Sequence, residues 1–168
     1  MTKKTDPSKP TAAEKKPDPG GAGEPAAPSF KEATLAGASF DDVDLARARL
    51  HNVTLTHAEL DDVDMTSARV RNVTLKSSDF DDCSFEGARL HNVTFAGATL
   101  DDVALVDTKI TNADLAKSRW SDVSLKGARL EDVDLSGVEI VDAKIEGLTI
   151  NGVRIDELLK ASSPPATK

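Results

Sequence analysis

From Phe30 to Ile155 every fifth residue is large and apolar, and no break in register interrupts the run. It opens Phe30, Leu35, Phe40, Leu45, Leu50 and closes Leu135, Ile140, Ile145, Ile150, Ile155. A helix stripe repeats every 3.6 residues and a half-buried strand every 2, so neither element explains a period of five. A chain that turns a corner every five residues does. The pattern therefore predicts a solenoid, in which each coil buries its own inward residues against the coils above and below.

A second inward position strengthens this reading. Two residues before each large residue stands a small one, and Ala and Val alternate there: Ala38, Val43, Ala48, Val53, Ala58, Val63. Ser78, Cys83, Thr108, Ser118 and Leu148 are the exceptions. Two of every five side chains then point inward and three outward. Alternating sizes let stacked layers fill a narrow tube without voids.

Ala113-Asp114-Leu115-Ala116-Lys117 reads as a complete pentapeptide unit; Val43-Asp44-Leu45-Ala46-Arg47 and Val133-Asp134-Leu135-Ser136-Gly137 repeat it with Val for Ala. In these units the chain resembles the pentapeptide-repeat proteins. The resemblance implies an all-β fold, a right-handed quadrilateral β-helix of about six coils, four pentapeptides to a coil, spanning residues 30–155. One departure from the family pattern is that Asp or Asn falls more often two residues after the large residue than just before it. Coils stacked at about 4.8 Å give a rod about 30 Å long.

Residues 1–29 are different material, rich in Pro, Lys, Ala and Gly, with the composition of a disordered leader or a tether. They lack the apolar core of a secretion signal, and no stretch of the chain reaches transmembrane length. With a single cysteine, Cys83, in an inward slot, this points to a cytoplasmic protein that is not held in a membrane. Residues 156–168 suggest a short capping helix and a tail. Asp156 is placed to act as its N-cap, and Leu158 and Leu159 either cover the last coil or, as the resemblance implies, join two rods end to end.

Nothing in the chain has the spacing of a catalytic triad, a phosphate loop or a metal cluster, so no enzymatic activity and no cofactor is expected. His51 and His91 lie two coils apart, about 10 Å, too far to share a metal. The outward residues carry more information. Residues twenty apart stack on one wall, so Asp41, Asp61, Asp81 and Asp101 form an acidic column, with Glu59 and Asp79 beside it. Half a coil away, Arg49, Arg69, Arg89, Lys109 and Arg129 form a basic column flanked by Arg71. The formal net charge of −8 conceals this division. Two carboxylates about 5 Å apart repel by roughly 0.8 kcal/mol in water, so an acidic column needs splayed rotamers, cations or a basic partner to offset it.

Corner residues such as Asp42, Asp62, Asn52 and Asn72 have a structural use: their side chains can hydrogen-bond the turn backbone, and the Asn residues can form a ladder of stacked amides. Trp120 is large for an inward slot; it either fits because Ser118 beside it is small or is bulged outward. Taken together the residues point to a protein-interaction or scaffold rod with opposed acidic and basic faces. Its expected partner is a protein, with self-association as one form of that and no direct nucleic-acid binding. The resemblance offers an alternative: a rod that mimics DNA and binds a type II DNA topoisomerase, gyrase. A passive structural rod is a third reading.

Overall fold

A computed structural model describes residues 26–162. Of the expected disordered leader, residues 1–25 lie outside the described residues, as does the tail from 163 onward. The chain winds as an all-β, right-handed, four-sided solenoid of about six turns, followed by one short helix. Two opposite walls are parallel sheets. One, sheet A, contains β1 (Ser29–Lys31), β3 (Arg49–Thr54), β5 (Arg69–Thr74), β7 (Arg89–Thr94), β9 (Lys109–Asp114), β11 (Arg129–Asp134) and β13 (Thr149–Ile150). The other, sheet B, contains β2 (Ser39–Asp44), β4 (Glu59–Asp64), β6 (Asp79–Asp81), β8 (Thr99–Asp101), β10 (Arg119–Ser121) and β12 (Glu139–Val141). Each strand pairs with the strand twenty residues on, as in Leu50↔Val70 and Phe80↔Leu100.

The corners explain the period. From Glu32 to Gly147 every fifth residue has a positive φ: those numbered with a final 2, such as Asp42 (φ 53), and those with a final 7, such as Arg47 (φ 60). The two sets make different corners. At Arg47 the chain closes a β-turn, with the Ala48 amide donating to the Leu45 carbonyl at 2.9 Å. A positive φ at the third residue is the mark of a type II turn. At Asn52 the backbone bends within an extended run, and Val53 sits inside β3. This is why Ala and Val alternate. Ala stands where the hydrogen-bonded turn closes, and β-branched Val stands where the chain stays extended. Asx residues dominate the second kind of corner because they tolerate the left-handed region better than other side chains.

Inside, the large residues stack as predicted. Phe80 packs against Phe85 and Phe95 with ring centroids 5.8 and 5.7 Å apart. Leu60, Leu90, Leu100 and Leu115 are almost wholly buried. The small polar exceptions are buried and satisfied: Thr108 Oγ1 donates to the Phe85 carbonyl at 2.8 Å, and Ser78 Oγ to that of Leu55. Trp120 lies inside. The residue is 2 % exposed, and its indole N–H donates to Ser118 Oγ at 2.8 Å. The Ser118 hydroxyl in turn donates to the Leu115 carbonyl. Ser118 thus supplies both the room and the acceptor, and no bulge is needed.

The C-terminal end carries the expected short helix but reaches it in an unexpected way. The winding stops at Ile150. Asn151 and Gly152 both have positive φ (49° and 82°), and the chain reverses into β14 (Val153–Arg154), antiparallel to β13. Two consecutive left-handed residues form the tight hairpin for which Asn-Gly is the favoured pair. Helix α1 then runs Ile155–Ser162. Asp156 is therefore inside its first turn and is not the N-cap. Its carboxylate receives both Arg154 Nε (2.9 Å) and a terminal guanidinium nitrogen (2.7 Å), and also the Gly147 amide (3.2 Å). Nor do Leu158 and Leu159 cover the last coil, for they are 55 % and 51 % exposed. Ile155 packs against the core, and the Asp156 contacts hold the helix to the rod.

Candidate interaction faces

Parallel pairing at an offset of twenty turns the sequence columns into physical ones. Asp41, Asp61, Asp81 and Asp101 are successive partners on the outer face of sheet B. Glu59 pairs with Asp79 in the adjoining column, which continues through Thr99 to Arg119 and Glu139. On sheet A the succession is Arg49, Arg69, Arg89, Lys109, Arg129. The column beside it runs Lys31, His51, Arg71, His91, Thr111, Glu131. The charged members of these columns are exposed, apart from the partly covered Glu131. All the candidate residues predicted for each face thus lie together on one wall.

The basic face is partly neutralised from within. Glu131 accepts from Arg129 at 2.6 Å and lies 3.5 Å from Lys109, and these two cations hold its carboxyl below the usual range. Among the described residues, Arg49, Arg69, Arg71 and Arg89 take part in no ion pair. Four cations therefore stand on one sheet at coil spacing, about 4.8 Å, with no acid among the described residues paired to them. His91 is held by Thr111, its Nδ1 2.9 Å from the threonine hydroxyl.

The corner residues divide into two jobs. Asn52, Asn72, Asn92 and Asn112 form a ladder, the Nδ2 of each of the last three donating to the Oδ1 of the residue below at 2.9–3.2 Å. Hydrogen bonding to the turn backbone falls to a different set: Asp44, Asp64, Asp114 and Asp134 each accept the amide two residues on, at 2.7–3.0 Å. For Asp134 the bonds from Ser136 lower the carboxyl pKa. The signal for these residues is present in the sequence, where they are the middle letter of Val-Asp-Leu, Val-Asp-Met and Ala-Asp-Leu. The corner residues Asp42, Asp62 and their stack were expected to do this work. They serve instead by occupying the left-handed bend.

No group of three or more His, Cys, Asp or Glu side chains able to hold a metal occurs among the described residues. Cys83 is buried, which pushes its thiol up to about 11, and it donates to the Leu60 carbonyl. Among the described residues, no helix is long and apolar enough to cross a membrane.

A right-handed four-sided coil with this turn chemistry defines a class of solenoid. Residues 78–155 match the model of the pentapeptide repeat region, and residues 29–67 match that of pentapeptide repeats in eight copies. The chain belongs to the pentapeptide-repeat family, which is non-enzymatic. Among solved structures it is similar to the pentapeptide repeat protein Rfr23 of the cyanobacterium Cyanothece 51142. The identity there is 17 %, the TM-score 0.39, and the match covers 73 % of this chain and 87 % of that one. HetL, involved in heterocyst differentiation regulation in Nostoc sp. strain PCC 7120, is 17 % identical over 75 % of this chain and 89 % of its own, with a TM-score of 0.26. QnrB1, a plasmid-mediated fluoroquinolone resistance protein, is 10 % identical over 82 % and 98 %, with a TM-score of 0.27. None of the curated proteins matches the chain.

Proposed function

We propose that this chain is a protein-interaction rod that binds through its two charged walls. The observation that supports this most is the set Arg49, Arg69, Arg71 and Arg89, exposed on one sheet and in no ion pair among the described residues. Like charges in a column repel, so a partner bearing the opposite charge relieves a cost already present in the free rod. On exposed sheets such contacts set specificity and encounter rate more than raw affinity, and they weaken with salt. An oligoglutamate peptide is expected to bind sheet A and an oligolysine peptide sheet B, both at low ionic strength. Reversing Arg49, Arg69 and Arg89 to Glu should abolish the first and spare the second. Unchanged oligoglutamate binding by that variant would overturn the reading.

The acidic wall favours a second reading, the DNA mimic. Asp41, Asp61, Asp81 and Asp101 present carboxylates at regular spacing, as a phosphate backbone does. The Arg column opposes it, because it would meet a basic DNA channel with like charge. A gyrase supercoiling assay with the purified rod decides it: inhibition or drug protection supports mimicry, and no effect removes it.

A further inference from the structure

The two charged walls are complementary in a more specific way than sign. In a coil with four corners of one hand, strands on opposite walls run in opposite directions. Slide one rod sideways onto another without rotation, sheet A of the first against sheet B of the second. The column holding Arg49 then meets the column holding Asp41, and the column holding Arg71 meets the column holding Glu59. Both walls carry the same coil spacing, since both belong to the same winding.

Along the rod axis, opposite strands are offset by half a coil, about 2.4 Å. A slip of that size sets β3 against β2 of the neighbour, β5 against β4, β7 against β6, β9 against β8 and β11 against β10. In this register Arg49, Arg69, Arg89 and Lys109 face Asp41, Asp61, Asp81 and Asp101. In the second column Arg71 faces Glu59, His91 faces Asp79, and Thr111 faces Thr99. The next level is the telling one. The basic wall ends in an acid, Glu131, and the acidic wall at that level carries its cation, Arg119. Both walls change sign at the same height. The opposite slip, β11 against β12, would set Glu131 against Glu139, two acids face to face.

We propose that the partner of each wall is a second copy of this chain, stacked side by side by simple translation. This rests on the charge-face reading above. The contact uses two different surfaces of one molecule on opposite sides, so it does not close on itself and builds open-ended rows. It is distinct from an end-to-end dimer through Leu158 and Leu159, which would be closed and apolar.

The test is sedimentation velocity of the full chain over a range of concentrations. At about 20 mM salt the sedimentation coefficient should keep rising with concentration, with no plateau at a dimer; at about 0.5 M, where the Debye length is a few ångström, it should fall to that of a single rod. Arg69→Asp with Arg89→Asp should weaken association about ten-fold or more, as should Asp61→Arg with Asp81→Arg, because two attractions become repulsions in each case. Combining all four substitutions in one chain should restore association, since Arg69 would exchange charge with Asp61 and Arg89 with Asp81. Circular-dichroism melts establish that each variant is folded. A single rod at low salt, failure of the fourfold exchange to restore association in a folded chain, or a salt-resistant dimer lost on Leu158→Ser would each overturn stacking. If the rod stays single while oligoglutamate still requires the Arg column, stacking falls and the charge-face reading stands.

Discussion

Individual inward residues are under the strictest demands. Each sits in a dry layer between two others, so polarity there must be matched atom by atom. Ser118 shows this best, because its hydroxyl oxygen accepts the Trp120 indole N–H. Ser118→Ala should destabilise the rod by about 1–3 kcal/mol, the usual cost of stranding a buried donor. Urea melts at equal protein concentration measure it, and an unchanged midpoint would show that the indole finds another acceptor. Phe80→Asp places an unpaired charge in the same interior and should prevent folding, whereas Lys126→Asp, on the outside, should leave the melting temperature nearly unchanged. Equal melts for the two would contradict the inward assignment. Cys83, buried and with its thiol pushed up to about 11, should resist a thiol reagent in the native rod and react only on unfolding.

At the scale of elements, the walls and the short C-terminal helix were legible in the sequence, and the hairpin that precedes the helix was not. A five-residue period states which side chains face inward, and twenty-residue stacking follows from four corners, so both charged columns could be assembled from residue numbers alone. The ending eluded this logic because Ile150 and Ile155 keep the period while the backbone leaves it. The clue was Asn151-Gly152, a pair suited to two consecutive left-handed residues, and the apolar spacing masked it. The Asx turns at Asp44 and its equivalents were hidden for a related reason: a corner can use an Asp for its φ or for its carboxylate, and composition does not separate the two. Helix α1 yields a prediction of its own. The Arg154 guanidinium and the Gly147 amide hold the Asp156 carboxyl well below the usual carboxylate range. A depressed folded-state pKa contributes stability that is complete above about pH 4 and is lost as pH falls through the folded value. The protection factor of the Gly147 amide, its exchange rate relative to a free peptide at the same pH, should fall in acid, and Asp156→Asn should show a lower protection factor that depends little on pH in that range. Identical exchange in both chains would detach the helix from this contact.

For the whole molecule, three periods are superposed: five residues set what is inside, ten set the kind of corner, and twenty set which wall a residue occupies. They can be separated by deletion. Removing residues 70–89 takes out one full coil and keeps every column aligned. Removing residues 70–79 keeps the inward register and the alternation of corners but carries all later residues to the opposite wall. Both shortened chains should melt cooperatively, and only the first should retain low-salt association. If the half-coil deletion also associates, charge placement on the walls is not what drives it.

The reversal at Asn151 and Gly152 has a consequence for how long such a rod can be. A parallel winding leaves its last strand as a template of fixed polarity, on which another coil running the same way could always be laid. β14 turns that polarity around on sheet A, while the edge of β12 on sheet B keeps it. A further coil must fit every wall at once, and here the walls demand opposite directions of travel. The molecule is therefore closed to lengthening by a mismatch of chain sense, which holds even though Ile140 and Val141 remain open to water beside it.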